Sequence, residues 1–247
     1  MDGRINSEVF KKLFSKSGDV LIRPIKINQN NIIVHLFCVD GLINQELFDT
    51  AVFKSLKFDP YLSQCKTERQ MMDYLLEGGA YHVFTKEETD YNLLLKYVLS
   101  GMVALIFDKE EKAIVYDIRK FEKRSVSEPT EENVMKGSKD SFIEVMRMNT
   151  ALIRRRIRSE KLVVETLSVG KLSKTDMALI YISDIADSST VNKIRQIINS
   201  IDIDNISTPA FIEEFLVENK HSIFPQIMYT QRPDRVSANL SDGRVVL

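Results

Sequence analysis

The sequence predicts an α/β protein of two small lobes, each a mixed sheet flanked by helices, joined by a polar connector and related by an internal duplication. Three observations carry that prediction. Strand-like apolar runs alternate with amphipathic helical runs along both halves, the mark of layered α/β units. Residues 121–140 break the rhythm: they are charged, poor in large apolar side chains and contain Pro129, as a surface connector does. The two halves also echo each other at a shift of roughly 141 to 145 residues. The expected boundaries are therefore 1–120, 121–140 and 141–247.

A short amphipathic helix opens the chain, with Val9 and Leu13, and Phe10 and Phe14 beside them, ending near Gly18. Asp19–Ile27 and Ile32–Val39 read as strands around the turn-prone residues 28–31, and the second is apolar enough for a central strand. Helices are expected over Gln45–Lys57, from Thr67 to a stop at Gly78–Gly79, and over Glu88–Leu99 up to Gly101. Tyr81–Thr85 reads as a strand, and Met102–Phe107 with Ala113–Ile118 as a hairpin. The second half offers strands Leu162–Val169 and Met177–Ile182, a helix Val191–Ile201, a short strand near Asp204–Ile206 and a helix Pro209–Val217. Strands near Ile227–Thr230 and Arg244–Leu247 complete it.

The echo rests on three matches in one order. I-I-V-H-L-F-C-V-D-G at 32–41 and L-I-Y-I-S-D-I at 179–185 each lead from an apolar strand through an aspartate into a helix. Y-L-L-E at 74–77 matches F-L-V-E at 215–218, and V-L-S-G-M-V-A-L at 98–105 matches N-L-S-D-G-R-V-V-L at 239–247. The first lobe continues past this point through a charged turn into a partner strand, so the halt at Leu247 reads as a cut from a longer polypeptide.

Composition narrows the function. Thirty-four basic against thirty-five acidic residues leave a formal charge of -1, which argues against nucleic acid as a partner. Cys38 and Cys65 lack a framework of pairs and read as reduced thiols. The start lacks the blocks of a signal peptide, and the run Met102–Phe107 is too short to cross a bilayer, so the chain reads as soluble. Enzyme readings fare badly. His35, His82 and His221 stand apart from any metal-ligand spacing, and neither a nucleophile elbow nor a dinucleotide fingerprint occurs. No catalytic residue, metal or cofactor is expected; Asp40–Gly41 and Asp184 stand at strand ends, where α/β folds often place ligands and where aspartates also cap helices.

The most telling stretch runs from Glu128 to Glu160. It predicts a long helix from about Ser138, capped by Ser138 or Asp140, with Phe142, Val145, Met146, Asn149, Leu152, Ile153 and Ile157 on one face. Lys136, Gly137 and Ser138 at its start are a candidate anion or ligand seat, or else a plain helix start with solvated lysines. Asn149 with Arg147 or Arg154 could hold a carboxylate; the alternative is that Asn149 bonds backbone and the arginines pair with acidic neighbours. Arg156 belongs to a basic run at 154–158 that could face another subunit, anionic lipid or solvent. Arg232, Pro233 and Asp234 read as a proline-locked turn, with partner binding as the minority view.

E-P-T-E-E-N-V-M-K-G-S-K-D-S-F-I-E-V-M-R-M-N-T-A-L-I-R-R-R-I closely resembles the signature of the A subunit of bacterial spore germinant receptors, the GerA family. V-G-K-L-S-K-T-D-M-A-L-I-Y-I at 169–182, F-P at 224–225, R-P-D at 232–234 and L-S-D-G-R-V at 240–245 match later blocks in order. Departures are Ser141, where the family usually has glycine, and Gln231, where it usually has glutamate. The resemblance implies a soluble amino-terminal domain ahead of a membrane-embedded part, on the spore-core side of the spore inner membrane. It implies assembly with B and C subunits and a response to nutrients such as amino acids, sugars or nucleosides. Two roles follow as expectations: a two-lobed domain, hinged at 121–140, that senses or transmits the signal, or a scaffold that assembles the subunits without binding small ligands.

Overall fold

The computed structural model describes residues 3–27, 32–80, 84–120, 140–206, 210–217, 219 and 221–247. Contacts divide the chain into two compact units, Met1–Lys123 with Arg158–Glu160, and Arg124–Ile157 with Lys161–Leu247. Most of the expected connector and hinge, 121–139, lies outside the described residues.

Unit 1 is built on an antiparallel hairpin, β1 (Val20–Ile27) with β2 (Ile32–Val39), paired from Val20↔Val39 to Ile27↔Ile32. β3 (Thr85–Glu88), β4 (Val103–Phe107) and β5 (Lys112–Tyr116) extend it in the order β1-β2-β4-β5-β3, with every pairing antiparallel. The expected mixed sheet is thus an antiparallel one. Side chains alternate across such a sheet. Val34, Val103, Leu105 and Phe107 meet Phe48, Val52, Leu56, Met71 and Leu75 from a helical layer on one side. That layer comprises α2 (Gln45–Leu47), π-helical turns Phe48–Phe53, α3 (Lys54–Phe58), α4 (Glu68–Tyr74) and π-helical Leu75–Gly79. On the other face Phe37 meets Phe10 and Phe14, with Phe10 stacked on Tyr91 at 5.0 Å. Those rings come from α1 (Ser7–Leu13) and its end, and from α5 (Tyr91–Leu99). Cys38 and Cys65 are both buried.

Unit 2 centres on the hairpin β6 (Leu162–Val169) with β7 (Thr175–Ile182). Leu162, Val164, Ile180 and Ile182 face Ile153 of α6 (Met146–Arg156) and Val236 and Leu240 of α9 (Pro233–Ser241). Val163, Leu179 and Tyr181 face the opposite way, onto Val191 of α7 (Ser188–Ser200). Ile212 of α8 (Ala210–Leu216) joins Val169 and Ile198 at the hairpin's far end.

Several elements of the two units correspond at a near-constant offset, while β3 and β5 have no counterpart strand among the described residues of unit 2. β1 and β6 lie 142 residues apart (Val20 to Leu162), as do α4 and α8 (Glu68 to Ala210) and α5 and α9 (Tyr91 to Pro233). β2 and β7 lie 143 apart (Ile32 to Thr175). The pairings coincide as well: Val20↔Val39 becomes Leu162↔Ile182. Phe37↔Ala104, which joins β2 to β4, becomes the bridge Ile180↔Val246. A one-residue slip would turn every side chain to the wrong face, so identical register is a demanding match.

Several expectations need correction. The long helix from Ser138 is shorter, beginning at Met146; Ser138 lies outside the described residues, and Asp140 does not cap it. Val145 stands at its start without a side-chain cap and is exposed rather than inward. Residues 81–83 of the strand expected at Tyr81–Thr85 lie outside the described residues; the strand described there is Thr85–Glu88, and the helix expected from Glu88 begins at Tyr91, capped by Asp90. Asp204–Ile206 is irregular, its backbone serving the hairpin loop, where Leu172 and Ser173 N–H donate to the Asp204 carbonyl. Residues 227–230 form no strand, and 244–247 only the Val246 bridge. Pro209 lies outside the described residues.

Gly101 and Gly243 follow α5 and α9 with φ of +99° and +86°, a region that penalises any Cβ. An added Cβ would sit 3.2 Å from Leu42 Cβ at Gly101 and 3.1 Å from the Ile185 carbonyl oxygen at Gly243. Gly101→Ala and Gly243→Ala are each expected to lower unfolding free energy by about 1–3 kcal/mol, read from urea melts. Equal stability of either variant with the parent would contradict the shared cap geometry.

Candidate functional site

Those of the residues singled out by sequence that the structure describes lie on or beside α6 and at the start of α9, two helices packed on one face of the β6–β7 hairpin. Asn149 closes the segment before α6 onto its own helix: Ile143 N–H donates to Asn149 Oδ1 at 2.9 Å, and Asn149 Nδ2 donates to the Ile143 carbonyl at 2.6 Å. A side-chain amide that satisfies both backbone groups of one residue replaces a strand partner. Backbone bonding is therefore the reading that holds for Asn149. It also explains the late helix start, because residue 143 is held in a non-helical loop.

That loop is fastened to the run before α9. Phe142 N–H donates to the Gln231 carbonyl at 2.8 Å, and Ser141 Oγ donates to the same oxygen at 3.2 Å. Gln231 acts here through its backbone, so the departure from glutamate leaves this tie intact. Arg232–Pro233–Asp234 then opens α9 rather than forming a bare turn, with Pro233 at the first helical position, where a missing N–H costs nothing. Arg232 spans its helix start: Nε and Nη2 donate to the two Asp234 carboxylate oxygens at 3.1 and 2.6 Å. That pairing, against a smaller opposing effect of burial, holds the Asp234 carboxyl below the ordinary aspartate range.

The arginines of α6 part company. Arg154 is fully buried and engaged with partners, so it does not offer its guanidinium to solvent. Arg156 donates from Nη2 to Asp140 at 2.8 Å and from Nη1 to the Leu152 carbonyl at 3.3 Å. Arg147 is exposed, and its carbonyl accepts from Thr150 Oγ1 at 3.0 Å. Lys136, Gly137 and Ser138 lie outside the described residues. The structure thus brings Asn149, Arg154, Arg156, Arg232, Pro233 and Asp234 into one unit, where the described contacts fasten segments to one another. Among the described residues no group of three or more His, Cys, Asp and Glu side chains could hold a metal ion, and no helix is long and apolar enough to cross a membrane. An open depression of about 330 Å³, lined by residues 168–171 and 198–202, lies in the same unit.

The two units repeat one order of elements around a hairpin, and within unit 2 the segments that precede α6 and α9 are fastened together by the Phe142–Gln231 bond. The chain belongs to the family of Bacillus/Clostridium GerA spore germination proteins, whose pattern it matches over residues 8–247. It is 34% identical to stage V sporulation protein AF of Bacillus subtilis over 98% of this chain and 48% of that protein. It is 35% identical to the membrane protein YfkQ of the same organism over 98% of this chain and 46% of that protein. The fold is similar to the crystal structure of the N-terminal domain of the A subunit of the Bacillus megaterium spore germinant receptor GerK3. The TM-score is 0.73 at 25% identity, covering 98% of this chain and 91% of that one. The chain spans about half the length of the curated relatives it matches.

Two outcomes test the site. Asn149→Ala leaves both Ile143 backbone groups without their partner and is expected to cost about 2 kcal/mol of stability in chemical denaturation. Asn149→Asp, which keeps the acceptor and loses the donor, should cost less than alanine above pH 5; a variant as stable as the parent would refute the clasp. Because the folded-state pKa of Asp234 is depressed, its pairing contributes stability above the unfolded aspartate pKa, and the contribution is lost as pH falls through the folded value. Arg232→Ala should therefore flatten the stability-against-pH curve below about pH 4, the ordinary aspartate pKa.

Proposed function

We propose that this chain is the domain, outside the membrane, of the A subunit of a nutrient germinant receptor, and that it senses or relays the signal that starts spore germination. The observation that carries the reading is continuous likeness, across both units, to the GerK3 A-subunit domain. The intact polypeptide would sit in the spore inner membrane with this domain on the spore-core side, alongside B and C subunits. Relay is the part of that role the site supports best: a signature stretch that fastens α6 to α9 couples the position of one helix to the other. A second reading, a scaffold that assembles B and C subunits without a small ligand, draws on a specific observation. Asn149 donates to the Ile143 carbonyl, and Arg156 and Arg232 donate to the Asp140 and Asp234 carboxylates, all within this chain.

Calorimetric titration of the chain with a panel of amino acids, sugars and nucleosides separates the two. Saturable heat with a nutrient is the expected result for sensing, and its abolition by Arg147→Ala would place the ligand at the exposed edge of α6. Heat only with the soluble parts of B and C subunits would favour the scaffold. Silence toward every nutrient and both subunits, with a folded protein, would overturn the assignment.

A further inference from the structure

We propose that the outer side of α8 and the loop that follows it form a docking surface for a basic, apolar segment of another protein. The loop is built to hold its tip in place. Asn219 N–H donates to Gln226 Oε1 at 3.4 Å, and Gln226 Nε2 donates to the Asn219 carbonyl at 2.7 Å, which closes residues 219–226 into a ring. Ser222 N–H donates to the same carbonyl at 3.1 Å. Within the ring Ser222 Oγ donates to the Phe224 carbonyl at 3.0 Å, and Phe224 N–H lies 3.2 Å from that hydroxyl oxygen. Bonds between side chains and nearby backbone fix such a loop without burying it.

What the loop presents is apolar. Ile223 and Phe224 stand at its tip, 90% and 74% exposed. Phe211 and Phe215, one turn apart on α8, are exposed as well, while Ile212 between them is buried in the core. Met228 and Tyr229 are half exposed, and the Tyr229 hydroxyl donates to Glu213 Oε2 at 2.6 Å, which ties the end of the loop back to α8. Single apolar side chains on a surface need no explanation, but six within residues 211–229, on a helix and a loop fastened together, mark a binding surface. A loop already fixed in shape loses little freedom when a partner covers it.

Charge identifies the occupant. Residues 201–230 carry five carboxylates against one lysine. Glu214 on α8 is exposed, and so are Asp202 and Asp204; Asp202 shares its charge with Lys171 at 2.5 Å. Ile201 and Ile206 pack with Ile212, so these aspartates lie at the same end of unit 2 as α8. An anionic bilayer is repelled by such a border, and surfaces that lie on bilayers set lysine and arginine beside their apolar side chains. An uncharged apolar partner would strip water from the carboxylates and return nothing. A protein segment with Leu, Ile or Phe on one side and Lys or Arg beside it answers both features, the apolar anchors meeting Phe224 and its neighbours and the cations meeting the carboxylates.

Calorimetric titration of the 247-residue chain tests this with two designed amphipathic peptides of one leucine face, the first with lysine and the second with glutamate on the polar side, and with phosphatidylglycerol vesicles. The lysine peptide should bind saturably, and raising salt from about 50 to about 300 mM should weaken it about tenfold, as screening of facing charges requires. Ile223→Ser with Phe224→Ser should weaken binding at least about tenfold with the melting temperature unchanged, because both side chains stand in water. Glu214→Lys should weaken the lysine peptide and leave vesicles no less repelled than a single reversal allows. Equal affinity for the two peptides, or full affinity in the serine variant, overturns the surface. Binding to the vesicles but to neither peptide gives the tip to a bilayer and overturns the protein partner. Silence toward all three probes overturns the proposal outright.

Discussion

Each unit depends on one constraint, an antiparallel hairpin whose two faces are both apolar. Val34 and Phe37 point to opposite layers in unit 1, and Val164 and Val163 do so in unit 2. A hairpin of this kind is unstable alone and must be covered twice. One layer comes from the helix that precedes it together with the helix before the third strand, α1 with α5 and α6 with α9. The other comes from the helices that follow the hairpin. Element order and offset are thus consequences of covering the same pair of strands in the same way twice.

One difference between the two units falls on the signature stretch. α1 begins with a conventional cap, Asn6 accepting from Glu8 N–H at 2.9 Å. α6 has no such cap. Its place is taken by Asn149, which reaches back from inside the helix to Ile143, and by the Phe142–Gln231 bond that carries the chain across to α9. Unit 2 thereby gains a backbone link between the segments that introduce its two helices on that face. A displacement of the segment before α6 must either break that link or move the start of α9, and two-segment coupling of this sort is the physical requirement for relaying a change within a unit.

The sequence was most legible where a pattern is local. Leu162–Val169 has strand residues bounded by turn signals, and the structure returns those limits. Thr67, read as the start of its helix, caps it, whereas the cap at Asp90 lies two residues past the expected start at Glu88. The long helix was overextended because Phe142 and Val145 continue the three-and-four spacing, while the bond that stops the helix comes from a side chain one and a half turns downstream. α9 was missed because Arg-Pro-Asp carries the same residues in a turn as in a helix start. The candidate ligand residues Asn149 and Arg154 were visible as polar groups on an apolar face, but only the fold tells whether a buried amide meets a ligand or a peptide.

Residues 227–230 show what sequence and local geometry each contribute. Ile227, Met228 and Tyr229 have strand composition, as Thr85–Glu88 scarcely does, yet the latter is the strand and the former is irregular. Strand formation is decided by a partner's unpaired N–H and C=O groups, not by the propensity of the segment. Thr85–Glu88 has Ala113–Tyr116 beside it. The polar β3 is held by that ladder despite its composition, with Glu88 buried and accepting from Thr89 and Asp90 N–H at its end. Residues 227–230, better suited to a strand by composition, pair with no strand among the described residues, and Met228 and Tyr229 stand half exposed.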